Sequence, residues 1–439
     1  MALSTFKGGV HPTDGKELSK DKPVRELLPK GELVYPLSQH IGAPAVPIVT
    51  VGDSVLRGQM IAEAGGFVSA PVYSSVSGTV KSIEQRRVAV GDMVESIIIE
   101  NDGEYNEVEF EEILDINLLS NEEIIDKIKL AGIVGMGGAG FPTHIKLTPK
   151  EPEKIEYIIA NCAECEPYLT SDYRRMVEEP EKLVEGMNVI LQLFPKAKGI
   201  FAIENNKPKA IEKLRKLTRS DHRMQVVELE TKYPQGGERQ LIYAATKRYI
   251  NSKMLPADAG CIVDNVETIV AIYQAVMFGK PVMNRIFTVT GNAVTDPCNF
   301  YVHLGTNFQE ILEAAGGLNG DCEKAIAGGP MMGFALFGLN IPTTKTTSAL
   351  LCFTEDEVSR FEPSACINCG RCGEVCPERL IPTKLSDMSE RNQPDLFEKW
   401  YGLECVECGS CSFICPANKQ LAQSIKIMKK KVLVAKRKK

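Results

Sequence analysis

Two stretches decide the fold of the C-terminal part of the chain: CINCGRCGEVCP at 366–377 and CVECGSCSFICP at 405–416. Both have the spacing C-x2-C-x2-C-x3-C-P. Three thiolates spaced by two residues can surround one face of an iron–sulfur cubane, and a proline after the fourth cysteine ends the local helix. The two runs therefore predict two [4Fe-4S] clusters in a helical domain over residues 350–425.

The fourth cysteine of each run is expected to bind the other cluster, as it does in two-cluster ferredoxins. One predicted ligand set is Cys366, Cys369, Cys372 and Cys415, and the other is Cys405, Cys408, Cys411 and Cys376. The alternative is tetrahedral zinc on C-x2-C pairs, but zinc sites do not require the complete four-cysteine run with its proline. The other six cysteines are predicted to bind no metal, because Cys162 and Cys165 form a single pair and isolated cysteines are usually small buried apolar residues.

The composition excludes several classes of protein. The 439 residues have near-average globular composition, and no apolar run approaches the roughly 20 residues that a membrane helix needs. The start MALSTFKGGVHP has no charged-then-apolar leader, so we expect an intracellular protein whose thiols stay reduced and available to metal. The net charge of −6 disfavours general nucleic-acid binding. The basic tail 426–439 is expected to be disordered and to contact anionic lipid or an acidic partner.

The rest of the chain divides by its pattern of strands and helices. After an N-terminal arm over 1–32, residues 33–105 are rich in Val, Ile, Gly and Ser and predict a small all-β module. From 113 to 282, helical stretches alternate with apolar runs, the pattern of an α/β domain with crossover helices. Residues 283–345 contain a strand, a turn, a strand and an amphipathic helix, which predict a β-grasp-like domain. The predicted fold class is therefore multidomain α/β.

A glycine-rich segment, GIVGMGGAGFPTHIK at 132–146, follows a helical stretch in the α/β domain. Glycines let the backbone approach a flat ring or a diphosphate, and their N–H groups can bind phosphate oxygens. The segment lacks the preceding strand of a Rossmann fingerprint. Taken alone, it is compatible with a nucleotide site or with an ordinary tight turn.

The segment GMGGAGFPTHIK resembles the glycine-rich motif of the flavin-binding, NADH-oxidising subunit of respiratory complex I. Three more segments match that family in the same order: YIIANCAECEPYLTSDYR, KYPQGGERQLI and VDNVETIVAI. The N-terminal FKGGVHP, the paired clusters and a β module similar to a lipoyl carrier, but with no lysine in its hairpin at 65–68, resemble the RnfC family of the Rnf membrane complexes. The resemblance covers nearly the whole chain. It implies a barrel-sandwich hybrid for 33–105, an FMN- and NADH-binding domain for 113–282 and an SLBB domain for 283–345.

The resemblance also assigns roles to individual residues. NADH and flavin would lie along a loop that contains Gly135, Gly137, Gly138, Gly140 and Phe141. The further predicted cofactor contacts are those of Lys146, Asn161, Glu164, Glu238 and Asn265. Glu166 would contact the nicotinamide or its ribose, which makes it the predicted catalytic residue. Complex I has an arginine, an aspartate and an acid where this chain has Met136, Ala163 and Gly237.

The resemblance implies an NAD(H) oxidoreductase subunit of the ion-translocating Rnf ferredoxin:NAD complex, peripheral to the cytoplasmic side of the cell membrane. NADH releases two electrons as a hydride whereas a cubane accepts one, and a flavin can connect the two processes. Electrons would pass through the two clusters to or from a ferredoxin-like partner subunit, and ions would move through other subunits. Two alternatives stay open: a soluble cobalamin reductase of the same superfamily, and a flavin-free iron–sulfur relay whose glycine loop is only structural.

Overall fold

The computed structural model describes residues 3–437 and confirms the multidomain α/β class. Within these residues the chain forms four β-sheets, which are followed by a C-terminal group of helices. Two small antiparallel sheets come first, then a parallel sheet covered by helices, and then a mixed sheet.

The N-terminal arm contacts two domains. Its strand β1 (Arg25–Leu27) pairs in parallel with a strand of the SLBB-like domain. Earlier in the arm, Ser4 pairs with Leu229 and Val10 pairs with Tyr233, both in the α/β domain. The arm therefore joins parts of the molecule that lie far apart in the sequence.

The β module contains β2 to β8, which are Glu32–Pro36, Val46–Pro47, Ser54–Val55, Met60–Glu63, Val72–Tyr73, Gly78–Arg87 and Met93–Asn101. One sheet has the order β2-β8-β7-β4 and the other β3-β5-β6. Alternate residues of a strand point to the same face, so Leu33 and Tyr35 of β2 and Ile97 and Ile99 of β8 fill the core. The β5–β6 loop contains the exposed Phe67 and no lysine.

The α/β domain is built on the parallel strands β9 (Tyr157–Cys162), β10 (Lys198–Glu204), β11 (Met224–Leu229) and β12 (Cys261–Asn265), in the order β11-β10-β9-β12. Its helices are α1 (Asn121–Leu130), α2 (Thr143–Lys146), α3 (Ser171–Glu178), α4 (Pro180–Leu193), α5 (Pro208–Thr218), α6 (Glu238–Thr246) and α7 (Val266–Phe278). One apolar core lies between the sheet and α1, α4, α5 and α7, and a second lies beneath α6. Both faces of the sheet are therefore buried, which explains the continuous apolar runs.

The SLBB-like domain contains β13 (Asn284–Thr290), β14 (Cys298–His303), α8 (Phe308–Ala314), β15 (Lys324–Ala327), β16 (Phe334–Ala335) and β17 (Ala349–Phe353). Its sheet has the order β1-β14-β13-β17-β15-β16. The predicted limit at residue 345 falls before β17, which pairs with both β13 and β15. Leu350 and Cys352 of β17 are part of the domain's core, so this sheet continues further than the sequence pattern indicates.

The cluster domain is helical, as predicted, with α9 (Arg371–Glu374), α10 (Pro382–Glu390), α11 (Pro394–Lys399), α12 (Ser410–Phe413) and α13 (Leu421–Arg437). The expected disorder of the tail 426–439 is wrong for its described part, because α13 continues to Arg437. Apolar residues at helical spacing bury one side of α13: Ile425, Met428 and Val432 pack against α10 and α11, and Leu421 packs beside Cys372 and Cys411. None of the helices within residues 3–437 has the length and apolar character needed to cross a bilayer.

Candidate functional site

The glycine loop at 135–140 joins α1 to α2 as a narrow turn. The Gly135 N–H donates to the carbonyl of Phe141 at 2.9 Å, which closes the loop on itself. The Met136 N–H donates to Thr268 Oγ1 at 2.9 Å, and this bond ties the loop to the first turn of α7. The first bond closes the base of the loop, and the second fixes the loop to α7.

The glycines of this loop differ in their surroundings. A Cβ on Gly137 would lie 2.8 Å from Asn265 Nδ2, so the contact leaves no room for a side chain. Gly140 has a φ of +71°, and its Cβ would lie 3.0 Å from the carbonyl oxygen of Gln39. A Cβ on Gly138 would meet no protein atom within 4 Å. Gly138 thus faces open space, and a ligand can approach the backbone there.

Two asparagines mark the carboxyl edge of the parallel sheet. Asn161 at the end of β9 is the register partner of Asn265 at the end of β12, and its Nδ2 donates to the Gly236 carbonyl at 2.9 Å. Asn265 caps α7 by accepting the Glu267 N–H at 2.9 Å and donates to Asp172 Oδ2 at 2.7 Å. Ligands of open α/β sheets bind at this edge, and helix N-termini attract phosphate. The edge brings Asn161, Asn265 and the glycine loop together.

Lys146 reaches the same edge from α2. Its Nζ donates to the Val263 carbonyl at 2.7 Å and to Asp264 Oδ1 at 3.0 Å. Burial opposes a charge on this ammonium, but the Asp264 and Glu238 carboxyl groups raise its pKa above the ordinary value. Burial also raises the pKa of Glu238, which Lys146 opposes. The arrangement holds a charged lysine among acids at the predicted flavin site.

Glu164 caps a helix. Its two carboxylate oxygens accept the N–H groups of Asp172 at 2.7 Å and Tyr173 at 3.3 Å, in the first turn of α3. Lys16 Nζ lies 4.0 Å from the same carboxylate. Burial raises the pKa of Glu164, and Lys16 opposes that shift. Both oxygens thus have partners within the protein, and a bond from Glu164 to FMN stays a prediction.

Glu166 lies where the α/β and SLBB-like domains meet. Its Oε2 accepts the Met331 N–H at 3.1 Å, and a Cβ on Gly329 would overlap its carboxyl group. Within the described residues its buried Oε1 and the Tyr233 hydroxyl make no hydrogen bond of good geometry, but the two groups lie close enough to interact with each other. Burial raises the pKa of Glu166 to about 7. The carboxyl group therefore has the Tyr233 hydroxyl as a neighbour, and one of its oxygens lacks a well-formed hydrogen bond.

The four cysteines of one predicted crossed set line a single small cavity in the cluster domain: Cys376, Cys405, Cys408 and Cys411. Apolar side chains of α10 and α13 complete its wall. The Leu380 N–H lies 3.3 Å from the Cys376 sulfur and the Glu407 N–H 3.4 Å from the Cys405 sulfur, and such contacts tune cluster potentials. Since one thiol comes from the first run and three from the second, the cavity supports crossed ligation.

Burial raises the pKa of all four thiols in this cavity, that of Cys405 to about 12. A desolvated thiol without a metal prefers its neutral form, whereas a coordinating thiol is deprotonated outright by the metal. The cavity therefore holds neutral thiols, whose protons a bound metal would displace. It fits a cubane by its donor set and by its apolar wall.

The other predicted set is more open. Cys366 and Cys369 are exposed, whereas Cys372 is buried beside Cys411 and Leu421. A cluster on this set would lie at the surface of the domain and next to the enclosed set. The two predicted clusters thus differ in their access to solvent and to other proteins.

The carboxyl edge of the parallel sheet at Asn161 and Asn265, where flavin is predicted to bind (the flavin edge), and the cysteine cavity share an apolar wall. Tyr233 packs against Cys408, and Cys165 lies against the same group. The Gly236 N–H lies 3.3 Å from the Cys165 sulfur, and the Gly236 carbonyl is the acceptor of Asn161. Cys165 thus connects a predicted flavin contact with a predicted cluster ligand. No local pattern indicated this role, because Cys165 has no second cysteine pair near it in the sequence.

Ion pairs join the same two domains nearby. Arg239 of α6 contacts Glu378 at 2.8 Å and Glu404 at 2.9 Å, and Gln240 donates to Glu378 at 2.6 Å. These residues belong to the KYPQGGERQLI segment but were not predicted as functional. Their acidic partners directly follow or precede the cysteine runs, and this adjacency was the available signal.

Models of known families match the chain in the order of its domains. The RnfC barrel sandwich hybrid domain matches residues 4–104, the Nuo51 FMN-binding domain 128–274, the SLBB domain 286–335 and the 4Fe-4S dicluster domain 365–419. Together they define a flavin- and iron–sulfur-containing electron-transfer protein. They confirm the predicted domain types and their order.

Relatives narrow the class further. The chain is 42% identical to the RnfC protein of the Na(+)-translocating ferredoxin:NAD(+) oxidoreductase complex of Acetobacterium woodii, over 99% of this chain and 98% of the relative. It is 43% identical to the corresponding protein of the proton-translocating complex of Clostridium ljungdahlii, over 90% of this chain and 86% of the relative. The chain belongs to this RnfC family. An NAD+-reducing [NiFe]-hydrogenase structure is 18% identical, with a TM-score of 0.48, over 71% of this chain and 60% of that chain.

The domain matches confirm FMN and two [4Fe-4S] clusters as the predicted cofactors. The residues present fit these groups. The open face of Gly138, the charged Lys146 and the N-terminus of α7 suit a phosphorylated flavin, and the four-thiol cavity suits a cubane. The roles of individual residues stay predictions.

Proposed function

We propose that this chain is the NAD(H)-oxidising subunit of an ion-translocating ferredoxin:NAD(+) oxidoreductase complex. It exchanges a hydride between NADH and FMN and conducts single electrons through two [4Fe-4S] clusters. The observation that carries the proposal is the shared wall in which Cys165 and Tyr233 join the flavin edge to Cys408. The names of the relatives and the FMN-binding and dicluster domains support the same activity.

At the flavin edge, bound FMN supplies the change from two-electron to one-electron chemistry. The protein's own residues bind and orient it. Backbone at Gly138 gives access to the ligand, and Lys146, kept charged by Glu238 and Asp264, binds flavin or phosphate. The α7 N-terminus at Asn265 offers N–H donors to the phosphate.

Glu166 is proposed to contact the nicotinamide or its ribose. Its buried Oε1 makes no well-formed hydrogen bond among residues 3–437, and Tyr233 is the protein donor with which a bound ligand would compete. A pKa of about 7 lets the carboxyl group hold or release a proton near neutral pH. Phe141, which is partly exposed, is proposed to flank the nucleotide on the other side of the loop.

In the cluster domain, Cys376, Cys405, Cys408 and Cys411 are proposed to bind the cluster nearer to the flavin, because Cys408 touches the shared wall. The set that includes the exposed Cys366 is proposed to bind the outer cluster. With both clusters bound, the inner set would lie between the flavin-binding edge and the outer set, and the clusters would supply one-electron steps toward a ferredoxin-like subunit. The outer cluster is the one that such a partner can approach.

The protein is proposed to be peripheral, on the cytoplasmic side of the cell membrane, with ion movement in other subunits of the complex. Exposed lysines of α13 such as Lys426 and Lys430 support attachment near an anionic surface. Copurification with integral membrane proteins tests the assignment against a soluble cobalamin reductase, which would purify without them.

The deciding experiment is reconstitution of the full chain with iron, sulfide and FMN, followed by anaerobic addition of NADH. We expect an FMN titration to saturate and NADH to bleach both the flavin and the cluster absorbance. A flavin-free relay would keep its cluster absorbance after NADH and lose it only with dithionite. That result would reject the proposed activity.

A further inference from the structure

The arm residues 4–16, which contain FKGGVHP, have no part in the flavin and cluster chemistry proposed above. The arm begins with an isolated β-bridge to the edge strand β11 of the parallel sheet, where the Ser4 N–H donates to the Glu228 carbonyl at 3.0 Å. Phe6 is buried, and Lys232 Nζ donates to its carbonyl at 2.6 Å and lies 4.3 Å from the centre of its ring. The arm is therefore anchored to the α/β domain up to Phe6.

The glycines that follow pass between a cysteine run and the flavin domain. Gly8 and Gly9 both have a φ of +85°. The Gly9 N–H donates to the Val375 carbonyl at 2.8 Å. A Cβ on Gly8 would lie 2.9 Å from that oxygen and 3.0 Å from the Cys376 oxygen, and a Cβ on Gly9 would lie 2.7 Å from the Tyr233 oxygen. The gap admits a bare backbone only.

Beyond the glycines the arm continues along the shared wall. Val10 and Tyr233 exchange two backbone hydrogen bonds of 2.8 Å each, and Val10 packs with Cys408. Further on, the buried Lys16 donates from Nζ to the Glu166 carbonyl at 2.9 Å. The arm thus contacts both the loop that contains the predicted catalytic residue and the backbone of a cysteine ligand.

We propose that the arm is a positioning element for electron transfer, which fixes the Cys376 loop, and with it the inner cluster, against the flavin-side residues Cys165 and Tyr233. The Arg239 ion pairs hold the side chains of Glu378 and Glu404, whereas the arm contacts the backbone of Cys376 itself. Gly8 is the central positioning residue. The inference rests on the proposed function, since it needs a cluster on Cys376.

The test compares Gly8→Ala with Gly52→Ala in the full chain loaded with FMN, iron and sulfide. Gly52 has a φ of +95° and no atom within 4 Å of an added Cβ, so both variants carry the strain of left-handed backbone. Only Gly8→Ala also presses on the cysteine run. We expect Gly8→Ala to shift the midpoint potential and the electron paramagnetic resonance signal of the inner cluster and to slow its reduction after mixing with NADH. Iron and FMN content should equal those of the parent, and Gly52→Ala should match the parent throughout.

Equal spectra, potentials and reduction rates in the two variants would overturn the positioning role. If Gly8→Ala is insoluble, Phe6→Leu loosens the same arm without new bulk at the cysteine run, and it should also slow inner-cluster reduction relative to Gly52→Ala. An unchanged rate in Phe6→Leu would then count against the arm. A parent protein that NADH cannot reduce would instead reject the proposed function, and the dithionite-reduced spectra would still test the arm.

Discussion

The two cysteine runs have the same spacing and different surroundings. In the second run Cys408 and Cys411 are 8% and 9% exposed and line an enclosed cavity, whereas in the first run Cys366 and Cys369 are exposed and Cys372, at 7%, is buried. The motif fixes which groups can bind iron. The tertiary surroundings fix which cluster is enclosed and which one a partner can reach, and burial and N–H contacts to sulfur also adjust the potential.

The contrast between the clusters depends on crossed ligation, because Cys376 belongs to the first run by sequence and to the enclosed cavity by structure. If each run bound its own cluster, the first cluster would be held both by the exposed Cys366 and Cys369 and by Cys376, which lines the enclosed cavity. That cluster would then be neither clearly enclosed nor clearly exposed. Substitution of a cysteine can remove one of the two clusters. Changes at the flavin edge and at nearby charges are expected to have smaller effects, on reduction by NADH and on the midpoint potential of the inner cluster.

The largest effect is expected from serine substitution of single cysteines. We expect Cys376→Ser and Cys405→Ser to perturb the inner cluster, and Cys366→Ser and Cys415→Ser to perturb the outer one. The physical reason is that Cys376 lines the cavity of the second run. Each reconstituted and reduced variant is examined by electron paramagnetic resonance, and the altered spectra should fall into these two pairs.

Cys322→Ser is the control, because this half-buried thiol lies in the SLBB-like domain and should leave both cluster signals unchanged. A spectrum of Cys376→Ser that resembles that of Cys366→Ser would show local ligation. The distinction between an inner and an outer cluster would then fail.

The next effect is expected at the flavin edge. We expect Gly138→Val to abolish FMN or NADH binding and to prevent reduction of both clusters by NADH, because the side chain enters open space that the ligand needs. Dithionite should still reduce both clusters. Absorbance titrations with FMN and NADH measure the loss.

Gly338→Val is a matched control, since a Cβ there also meets no atom within 4 Å. It should bind FMN as the parent does. If NADH still reduced either cluster in Gly138→Val, the inner cluster would not depend on a ligand at this loop, and the proposed order of electron transfer would be wrong.

The sequence was most informative where function depends on local spacing. The cysteine runs predict the clusters, and the resemblance to the complex I subunit predicts Asn161 and Asn265 as flavin contacts; these two residues are paired in the sheet. Each of these signals is carried by neighbouring residues. Because the carboxyl ends of parallel strands lie at one edge of the sheet, residues at these strand ends come close together.

Other features depend on contacts between distant residues. Nothing in FKGGVHP predicts that Gly8 lies against Cys376, and no motif predicts that Cys165 packs against the group formed by Val10, Tyr233 and Cys408. Glu164 was predicted from motif similarity as a flavin contact, and its role as a cap of α3 became visible only in the structure. The many lysines of the tail favour disorder in the sequence, whereas apolar contacts of α13 with α10 and α11 order its described part in the structure.

Substitution of Glu166 is expected to have a smaller effect, which is a lower rate of reduction by NADH. We expect Glu166→Gln to slow reduction of the protein by NADH about 10- to 100-fold, the range expected for loss of a charged hydrogen bond, with cluster content unchanged. Because burial raises the pKa of Glu166 to about 7, the parent's rate should change with pH near neutrality and the variant's should not. Stopped-flow absorbance over a range of pH measures both.

Glu153→Gln removes an exposed carboxylate of the same domain and serves as the control. It should keep the parent's rate and pH profile. Equal profiles for Glu166→Gln and the parent would assign Glu166 a structural role at the Met331 contact, and the catalytic prediction would fail.

The smallest effect is expected at Lys429, which refines the difference between the clusters. Its Nζ donates to the Cys405 carbonyl at 2.6 Å and pairs with Glu407 at 3.1 Å, beside the enclosed cavity. A positive charge there stabilises the more negative, reduced cluster, so Lys429→Met should lower the midpoint potential of the inner cluster by roughly 10–40 mV. Lys430→Met removes an equal charge from the exposed side of the same helix and should leave that potential nearly unchanged. Redox titration followed by electron paramagnetic resonance resolves the two signals. Equal shifts of both clusters in Lys429→Met would mean that the charge acts through the whole domain, and the enclosed cavity would then have no separate control over its potential.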